Sequence, residues 1–271
     1  MHKRKIQLFV FVSVFLIFIS SAGCSILGTT GSISLSPLSK PSQTPTELPT
    51  ATSVPPTETQ TPLPTETPLP TFTPTPELVQ VSAGQELTVP ILLYHHINDE
   101  VPGNRYIVSI SVFDEQMKWL RDHHYQTITI SQLADLILFG GSMSQRPVVI
   151  TFDDGNGDIV TNALPILQKY GFVATSYLIV RWIDAPNYIT SDQVSILSNA
   201  GWEIGSHTMS HVDLTQNENN LDYEVRQSLL RLNEDYGLKV KSFAYPFGVI
   251  DTNVVNFTSR AGYSAAVGLG T

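Results

Sequence analysis

The sequence predicts an α/β fold, a distorted (β/α)7-type barrel with parallel strands inside and helices outside. Short runs rich in Val, Ile, Leu and Phe alternate with helical segments from residue 89 onward, and this alternation favours a parallel sheet with crossover helices. About seven such strands can be placed, which suits a barrel. The chain contains no Gly-x-Gly-x-x-Gly sequence, which disfavours a dinucleotide-binding sheet.

The strands are predicted where β-branched and aromatic residues form short runs. They span residues 89–97, 126–130, 147–152, 172–180, 202–207, 242–245 and 264–269. Helices are predicted where apolar residues recur three or four positions apart, and glycines mark several of their ends. They span residues 111–124, 131–139, 162–170, 191–200, 221–236 and 252–260, so that helices and strands alternate.

Residues 1–24 have the pattern of an export signal that ends at the single cysteine, Cys24. Basic residues at positions 3–5 precede an apolar stretch at 6–19, and small residues stand just before Cys24. The pattern resembles a bacterial lipoprotein signal, in which Cys24 becomes the lipidated first residue and anchors the chain to the membrane. The alternatives are an uncleaved anchor and an ordinary secretory signal, and each places the rest of the chain outside the cytoplasmic membrane.

The segment 25–85 is rich in Ser, Thr and Pro, and such a composition predicts a disordered linker that acts as a tether. Residues 86–271 then form the folded domain. The net charge of −9 gives no electrostatic footprint for nucleic acid, so we expect no such partner. A single cysteine excludes an internal disulfide framework and any site with several cysteine ligands.

Two adjacent carboxylates end the most apolar strand of the chain. Residues 147–152 form a buried run, and Asp153, Asp154 and Gly155 follow it directly. Burying two aspartates is costly unless the charges meet a metal or a partner. Gly155 lets the backbone turn, so both carboxylates could face one cavity. The alternative is an Asp-Gly turn that caps the next helix.

Histidines end two other predicted strands. His207 and His211 are four residues apart, and on a helical turn this spacing puts both imidazoles on one face, where they could chelate one metal. Alone, such a pair is more often surface or capping chemistry. His95 and His96 end the first strand. Since the carboxyl ends of barrel strands gather at one face, the aspartates and histidines are predicted to form one site there. Two histidines and one carboxylate leave coordination positions open, as a catalytic metal requires.

Residues 151–155 (Thr-Phe-Asp-Asp-Gly) and 206–211 (Ser-His-Thr-Met-Ser-His) together resemble the first two motifs of a known family. This family is the polysaccharide deacetylases with the NodB homology domain, carbohydrate esterase family 4, and the resemblance covers residues 89–271. It implies a monomeric, metal-dependent hydrolase that removes N-acetyl groups from a polysaccharide containing N-acetylglucosamine. The substrate would be a cell-wall polymer or an exopolysaccharide.

The resemblance also implies roles for single residues. Asp153 would be the general base, and the backbone N–H of Phe247 would stabilise the oxyanion. The implied metal is zinc in the first place, with cobalt, nickel or manganese as alternatives. Its implied ligands are Asp154, His207 and His211. Side chains of the third motif would contact the substrate: Tyr245, Pro246 and Phe247.

Two departures from the family pattern leave alternatives open. The third motif usually carries an arginine that orients the catalytic aspartate, and Ala244 stands at that position. The late motifs, with a histidine that acts as general acid, would lie beyond Tyr263. We therefore expect a barrel that is incomplete at its carboxyl terminus, or a role for His95 or His96 in protonating the leaving amine, or impaired activity. The corresponding alternatives in function are a carbohydrate-binding or scaffold lipoprotein and a deacetylase of O-acetyl esters.

Overall fold

The computed structural model describes residues 78–100 and 103–269. The predicted signal with Cys24, and residues 25–77 of the predicted linker, lie outside the described residues. No helix in the described ranges has both the length and the apolar character needed to cross a membrane.

Strands and helices alternate along most of the described chain. The strands are β1 (Leu78–Val81), β2 (Ile91–Tyr94), β3 (His96–Ile97), β4 (Ile107–Val108), β5 (Gln126–Thr127), β6 (Gly141–Ser144), β7 (Pro147–Phe152), β8 (Thr175–Leu178), β9 (Glu203–Ser206), β10 (Ser242–Ala244) and β11 (Ala265–Val267). The α-helices are α1 (Ile110–Asp122), α2 (Ile130–Phe139), α3 (Leu164–Tyr170), α4 (Ser191–Asn199), α5 (Ser228–Tyr236) and α6 (Thr252–Ala261).

The central sheet is parallel and curls into a half-barrel. Its strands are paired in the order β11-β10-β9-β8-β7-β2, and β5 pairs with the beginning of β7. Every pairing in it is parallel. All six residues of β7 are buried, as expected for a strand covered on both faces. The predicted α/β class and the predicted alternation of strands and helices are confirmed.

A small antiparallel pair lies where the sequence predicted linker. β1 pairs with β6 in a register that joins Leu78 to Ser144 and Val81 to Gly141. Val81 is buried and Leu78 is exposed, because successive side chains of a strand point to opposite faces and one face packs on the domain. The linker boundary at residue 85 was therefore wrong, and ordered structure is present from residue 78.

Helix α2 covers the amino-terminal end of the half-barrel. The amide of Ile130 donates to Thr175 Oγ1 (3.2 Å) and that of Ser131 to the Glu203 carboxylate (2.7 Å), at the starts of β8 and β9. Its apolar face packs into an inner cluster formed by Leu133, Ile137, Ile91, Val149, Tyr177 and Ala244. A larger cluster lies between the sheet and the outer helices. The polar residues of the candidate site lie at the opposite end, where the strands have their carboxyl ends.

Two helices begin with π-helical turns that the sequence pattern did not predict. Ile159–Ala163 leads into α3, and Asp222–Gln227 leads into α5. Single π-helical segments within helices occur frequently at functional sites. Both segments follow, along the chain, a loop that carries site residues.

Candidate active site

Asp153 and Asp154 leave β7 at its carboxyl end, as predicted. The Asp153 amide donates to the carbonyl of Tyr94 (3.0 Å), so the sheet still holds this residue. Asp154 then adopts φ 72 and Gly155 φ 75, which turns the chain away from the strand. A Cβ at Gly155 would lie 2.9 Å from Leu178 Cδ2, and the positive φ is one that glycine adopts without strain.

Asp154, His207 and His211 form a compact donor set. Asp154 Oδ1 lies 3.6 Å from His207 Nε2 and 3.4 Å from His211 Nε2, and the donor atoms all lie within 4.8 Å of one another. Asp154 Oδ1 is buried and has no hydrogen-bond partner. A buried carboxylate oxygen without a partner is costly. A divalent cation between the oxygen and the two nitrogens would satisfy it, so these residues fit a metal.

Both imidazoles are suited to bind a metal as neutral ligands. His207 is 2% exposed, and its Nδ1 donates to the carbonyl of Ala244 (2.8 Å). This hydrogen bond fixes the tautomer and leaves the Nε2 lone pair directed at Asp154. Burial lowers the pKa of His207, and burial together with the neighbouring His207 lowers the pKa of His211. The sequence did not predict the contribution of the Ala244 carbonyl.

The turn between the two histidines differs from the helical turn that the sequence predicted. Thr208 and His211 have φ of 71 and 59, which a right-handed helix does not allow. Thr208 Oγ1 accepts from the His211 amide (2.8 Å) and closes the turn. The two imidazole centroids are 4.7 Å apart. The spacing prediction was therefore right about the shared site and wrong about the local conformation.

Unusual backbone angles are concentrated at this site. Four residues with positive φ lie there: Asp154, Thr208, His211 and Phe247. Elsewhere in the described ranges only three other non-glycine residues have positive φ: His124, Asp184 and Asn187. Such conformations cost energy and persist where the surrounding structure enforces them, often at functional sites.

Asp153 lies beside the donor set as a buried, unpaired carboxylate. Its Oδ2 is 4.0 Å from His207 Nε2, and its Oδ1 is buried without a hydrogen-bond partner. Burial raises the pKa of Asp153 to about 7; the charge of Asp154 adds to this rise, and His95 opposes it. A carboxyl with a pKa near neutrality can exchange a proton with substrate or water.

Of the two histidines that end the first predicted strand, the structure brings His95 to the site. Burial lowers the pKa of His95, and the charges of Asp153 and Asp154 act against this shift. His96 instead bonds to Asp158 Oδ2 through Nδ1 (2.9 Å), and this hydrogen bond raises its pKa. His95 is therefore the nearer candidate for proton transfer.

Side chains of the loop after β7 hold the segment that carries His95. Asn156 Nδ2 donates to the His95 carbonyl (3.1 Å). Asp158 Oδ2, which bonds to His96, also accepts from Asn98 Nδ2 (2.6 Å). These hydrogen bonds tie two neighbouring strand ends together, so His95 is fixed relative to Asp153. The sequence showed an acidic loop here but not this function.

The third motif contributes one exposed side chain. Tyr245 and Pro246 are buried, and Tyr245 packs on Phe243 with ring centroids 5.1 Å apart. Both side chains pack in the core, and their contact with substrate stays a prediction. Phe247 is 58% exposed, and its ring lies 4.7 Å from that of His211. Its φ of 59 is set by the tight turn Pro246–Gly248.

Glu224 is a further site residue that the sequence did not reveal. It is 4% exposed and lies in the π-helical segment before α5. Its carboxylate accepts hydrogen bonds from the turn between His207 and His211. The acidic type of this residue gives no signal of burial, although Glu224 stands three residues after the buried Leu221 and four before the buried Ser228.

Comparisons with known proteins agree with the geometry. The family profile described as polysaccharide deacetylase matches residues 140–266. The Bacillus subtilis (strain 168) protein YxkH is 31% identical over 184 residues, which are 66% of this chain and 63% of that protein. A Staphylococcus aureus (strain MRSA252) poly-beta-1,6-N-acetyl-D-glucosamine N-deacetylase is 28% identical over 172 residues, 58% of this chain and 59% of that one.

Solved structures show the same architecture. The Streptococcus pyogenes deacetylase PplD, determined in complex with acetate, superposes with a TM-score of 0.61 at 25% identity. The match covers 70% of this chain and 83% of that one. The chain spans less of its curated relatives, at 63% and 59% of their lengths.

Proposed function

We propose that the domain of this chain that matches the polysaccharide deacetylase profile over residues 140–266 hydrolyses N-acetyl groups of a polysaccharide containing N-acetylglucosamine. The observation that carries the proposal is the donor set of Asp154, His207 and His211 with the unpaired Asp153 beside it. A buried base next to a metal site with open positions suits hydrolysis of an amide.

The proposed metal is zinc, held by Asp154, His207 and His211. Two neutral imidazoles and one carboxylate are ligands that zinc accepts, and they leave room for substrate and water. Cobalt, nickel and manganese are alternatives, because sites of mixed nitrogen and oxygen donors bind several divalent ions. When bound, the ion would lower the pKa of a water molecule and polarise the acetamide carbonyl.

Three residues of the chain transfer protons or stabilise the intermediate in the proposed reaction. Asp153 accepts the proton of the attacking water while the water oxygen bonds to the carbonyl carbon. The backbone N–H of Phe247 donates to the oxyanion of the tetrahedral intermediate. The bond between carbon and nitrogen then breaks, and His95 gives its proton to the leaving amine. Acetate and a free amino group on the sugar are the products.

The polymer that we propose first is poly-β-1,6-N-acetylglucosamine. The basis is the Staphylococcus aureus relative, whose name states this substrate. Chitooligosaccharide and peptidoglycan carry the same acetamide and are the alternatives. The exposed Phe247 ring beside His211 offers an apolar surface against which a sugar ring could pack.

We further propose that the domain works outside the cytoplasmic membrane as a monomer. The sequence pattern of residues 1–24 supports export, with Cys24 as the lipidated anchor or with secretion as the alternative. The segment rich in Ser, Thr and Pro would then act as a tether between the membrane and the domain. Such an arrangement gives the domain access to cell-envelope or secreted polysaccharide.

Acetate release tests the proposal. We expect the purified chain to release acetate from poly-β-1,6-N-acetylglucosamine, to lose this activity in a chelator, and to regain it with zinc. Chitooligosaccharide, peptidoglycan and an O-acetylated xylan serve as parallel substrates. Release from the xylan alone would favour the esterase alternative. Binding of polymer without release from any substrate would contradict the proposal and favour a carbohydrate-binding scaffold.

Replacing His95 with glutamine separates protonation of the leaving group from the rest of the reaction. We expect acetate release from the polysaccharide to fall by about 10²–10⁴-fold, the usual range for a lost general acid. Hydrolysis of 4-nitrophenyl acetate should fall much less, because its phenolate leaves without a proton. Zinc affinity, measured by calorimetry, should stay unchanged.

His123→Gln is the matched control, since this imidazole lies at the carboxyl end of α1, where it stacks on the Trp119 ring and bonds to the Trp119 carbonyl. We expect it to retain most of the activity on both substrates. Equal losses on both substrates in His95→Gln would show that His95 does not act as the general acid.

A further inference from the structure

Glu224 forms a dense set of contacts with the turn that carries the two histidine ligands. Its Oε2 accepts from the amides of Met209 (3.1 Å) and Ser210 (2.9 Å), and its Oε1 accepts from Ser210 Oγ (2.6 Å). Met209 and Ser210 stand between His207 and His211. One carboxylate therefore satisfies three donors within the turn.

The turn depends on these bonds because its backbone is strained. Thr208 and His211 both have positive φ, and such conformations persist only where other contacts enforce them. Removing the acceptor would leave the amides of Met209 and Ser210 without their partner in a buried place. The turn could then relax toward ordinary angles, which would move His211 relative to His207.

The position of Glu224 is itself fixed. Ser206, the last residue of β9, connects the turn to the helical segment that carries Glu224. Its Oγ accepts from the Thr208 amide (3.3 Å) and donates to Ser228 Oγ (2.8 Å). Ser228 Oγ in turn donates to the Val225 carbonyl (2.9 Å), beside Glu224. The π-helical segment is thus joined to the end of β9, and Glu224 is held in register with the turn.

We propose that Glu224 is a positioning residue of the metal centre, which sets the separation of the His207 and His211 nitrogens and thereby the affinity for a divalent cation. The inference rests on the proposed metal site. No Lys or Arg in the described part of the chain forms an ion pair with Glu224. Its negative charge therefore also favours a cation at the neighbouring site.

Glu224→Gln tests this role, with zinc affinity as the readout. Glutamine has nearly the same shape as glutamate. However, one of the two oxygens that accept hydrogen bonds is replaced by an NH₂ group, which cannot accept from the donors of the turn. We expect the dissociation constant for zinc, measured by calorimetry, to rise about 10–100-fold, as for other partners behind metal ligands. Acetate release should recover substantially at saturating zinc, because Asp153 and His95 remain in place.

Glu203→Gln is the matched control. Glu203 accepts from Ser131 N (2.7 Å), Ser131 Oγ (2.5 Å) and Ser242 Oγ (2.6 Å), at the opposite end of β9 from His207. We expect this variant to melt at a lower temperature yet bind zinc as the wild type does. An equal loss of zinc affinity in both variants would mean that Glu224 supports the fold in general, and would overturn the proposal.

Ser210→Ala gives a second variant if Glu224→Gln does not fold. It removes one of the bonds to Glu224 and leaves the two amide bonds, so we expect a smaller rise in the zinc dissociation constant. Unchanged zinc affinity in a folded Glu224→Gln protein would overturn the positioning role alone. A wild-type chain that binds no zinc, cobalt, nickel or manganese would instead overturn the proposed metal site.

Discussion

Replacing Asp154 with asparagine is expected to abolish zinc binding and, with it, acetate release. Asp154 supplies the one anionic donor of the candidate site, and its Oδ1 faces both imidazole nitrogens. Loss of a partner behind a metal ligand already weakens affinity by about 10–100-fold. We expect the loss of the carboxylate itself to exceed that range in the dissociation constant measured by calorimetry.

Acetate release should fall in parallel. A metal ion contributes several kcal/mol of transition-state stabilisation, and about 4 kcal/mol corresponds to roughly a thousandfold in rate. The matched control is Asp135→Asn, which removes an exposed carboxylate that pairs with Lys241 far from the site. It should leave both measurements unchanged. Wild-type zinc affinity in Asp154→Asn would exclude this residue as a ligand.

The residues that the sequence located best are those whose position follows from strand geometry alone. Asp153 and Asp154 end a strand whose six residues are all buried, and His207 ends β9 in the same way. Because carboxyl ends of neighbouring parallel strands meet at one edge of a sheet, the shared site could be predicted without knowledge of the helices.

The residues that the sequence did not locate act through contacts that no spacing shows. Ala244 contributes its carbonyl to His207, so the nature of its side chain is irrelevant to that bond. Glu224 lies in the π-helical segment before α5, and it accepts hydrogen bonds from the turn between His207 and His211. Carboxylates are rarely buried, so the residue type favours an exposed position.

The same distinction explains the misjudged parts of the fold. The strand β1 is short and follows a segment rich in Pro, so composition favoured linker, whereas its pairing with β6 depends on residues at least sixty positions away. Tyr245 was predicted from its motif to contact substrate, and its ring packs in the core on Phe243. The contact between β1 and β6 joins segments far apart in the chain, and it appears only when the two strands pair.

Asp153→Asn is the second change with a large expected effect. We expect acetate release to fall by about 10²–10⁴-fold, because asparagine cannot accept the proton of water. Zinc affinity should stay close to that of the wild type, since Asp153 Oδ2 lies farther from His207 Nε2 (4.0 Å) than the Asp154 oxygen does (3.6 Å). Comparison of Asp153→Asn with Asp154→Asn therefore distinguishes the general base from the metal ligand.

Stability gives an independent test of the same residue. Burial raises the pKa of Asp153 from 3.8 to about 7, so the folded chain without metal holds this proton more tightly than the unfolded chain does. The stability of the metal-free protein should therefore fall as the pH rises from about 4 to about 7, and the cost persists above that range. Asparagine carries no charge, so Asp153→Asn removes the free-energy cost of the buried carboxylate.

In a chelator at pH 8 we expect Asp153→Asn to melt a few degrees higher than the wild type, with about 2–4 °C for each kcal/mol. At pH 4 the difference should vanish, whereas a variant that is less stable at both pH values would show that Asp153 serves the fold rather than the reaction.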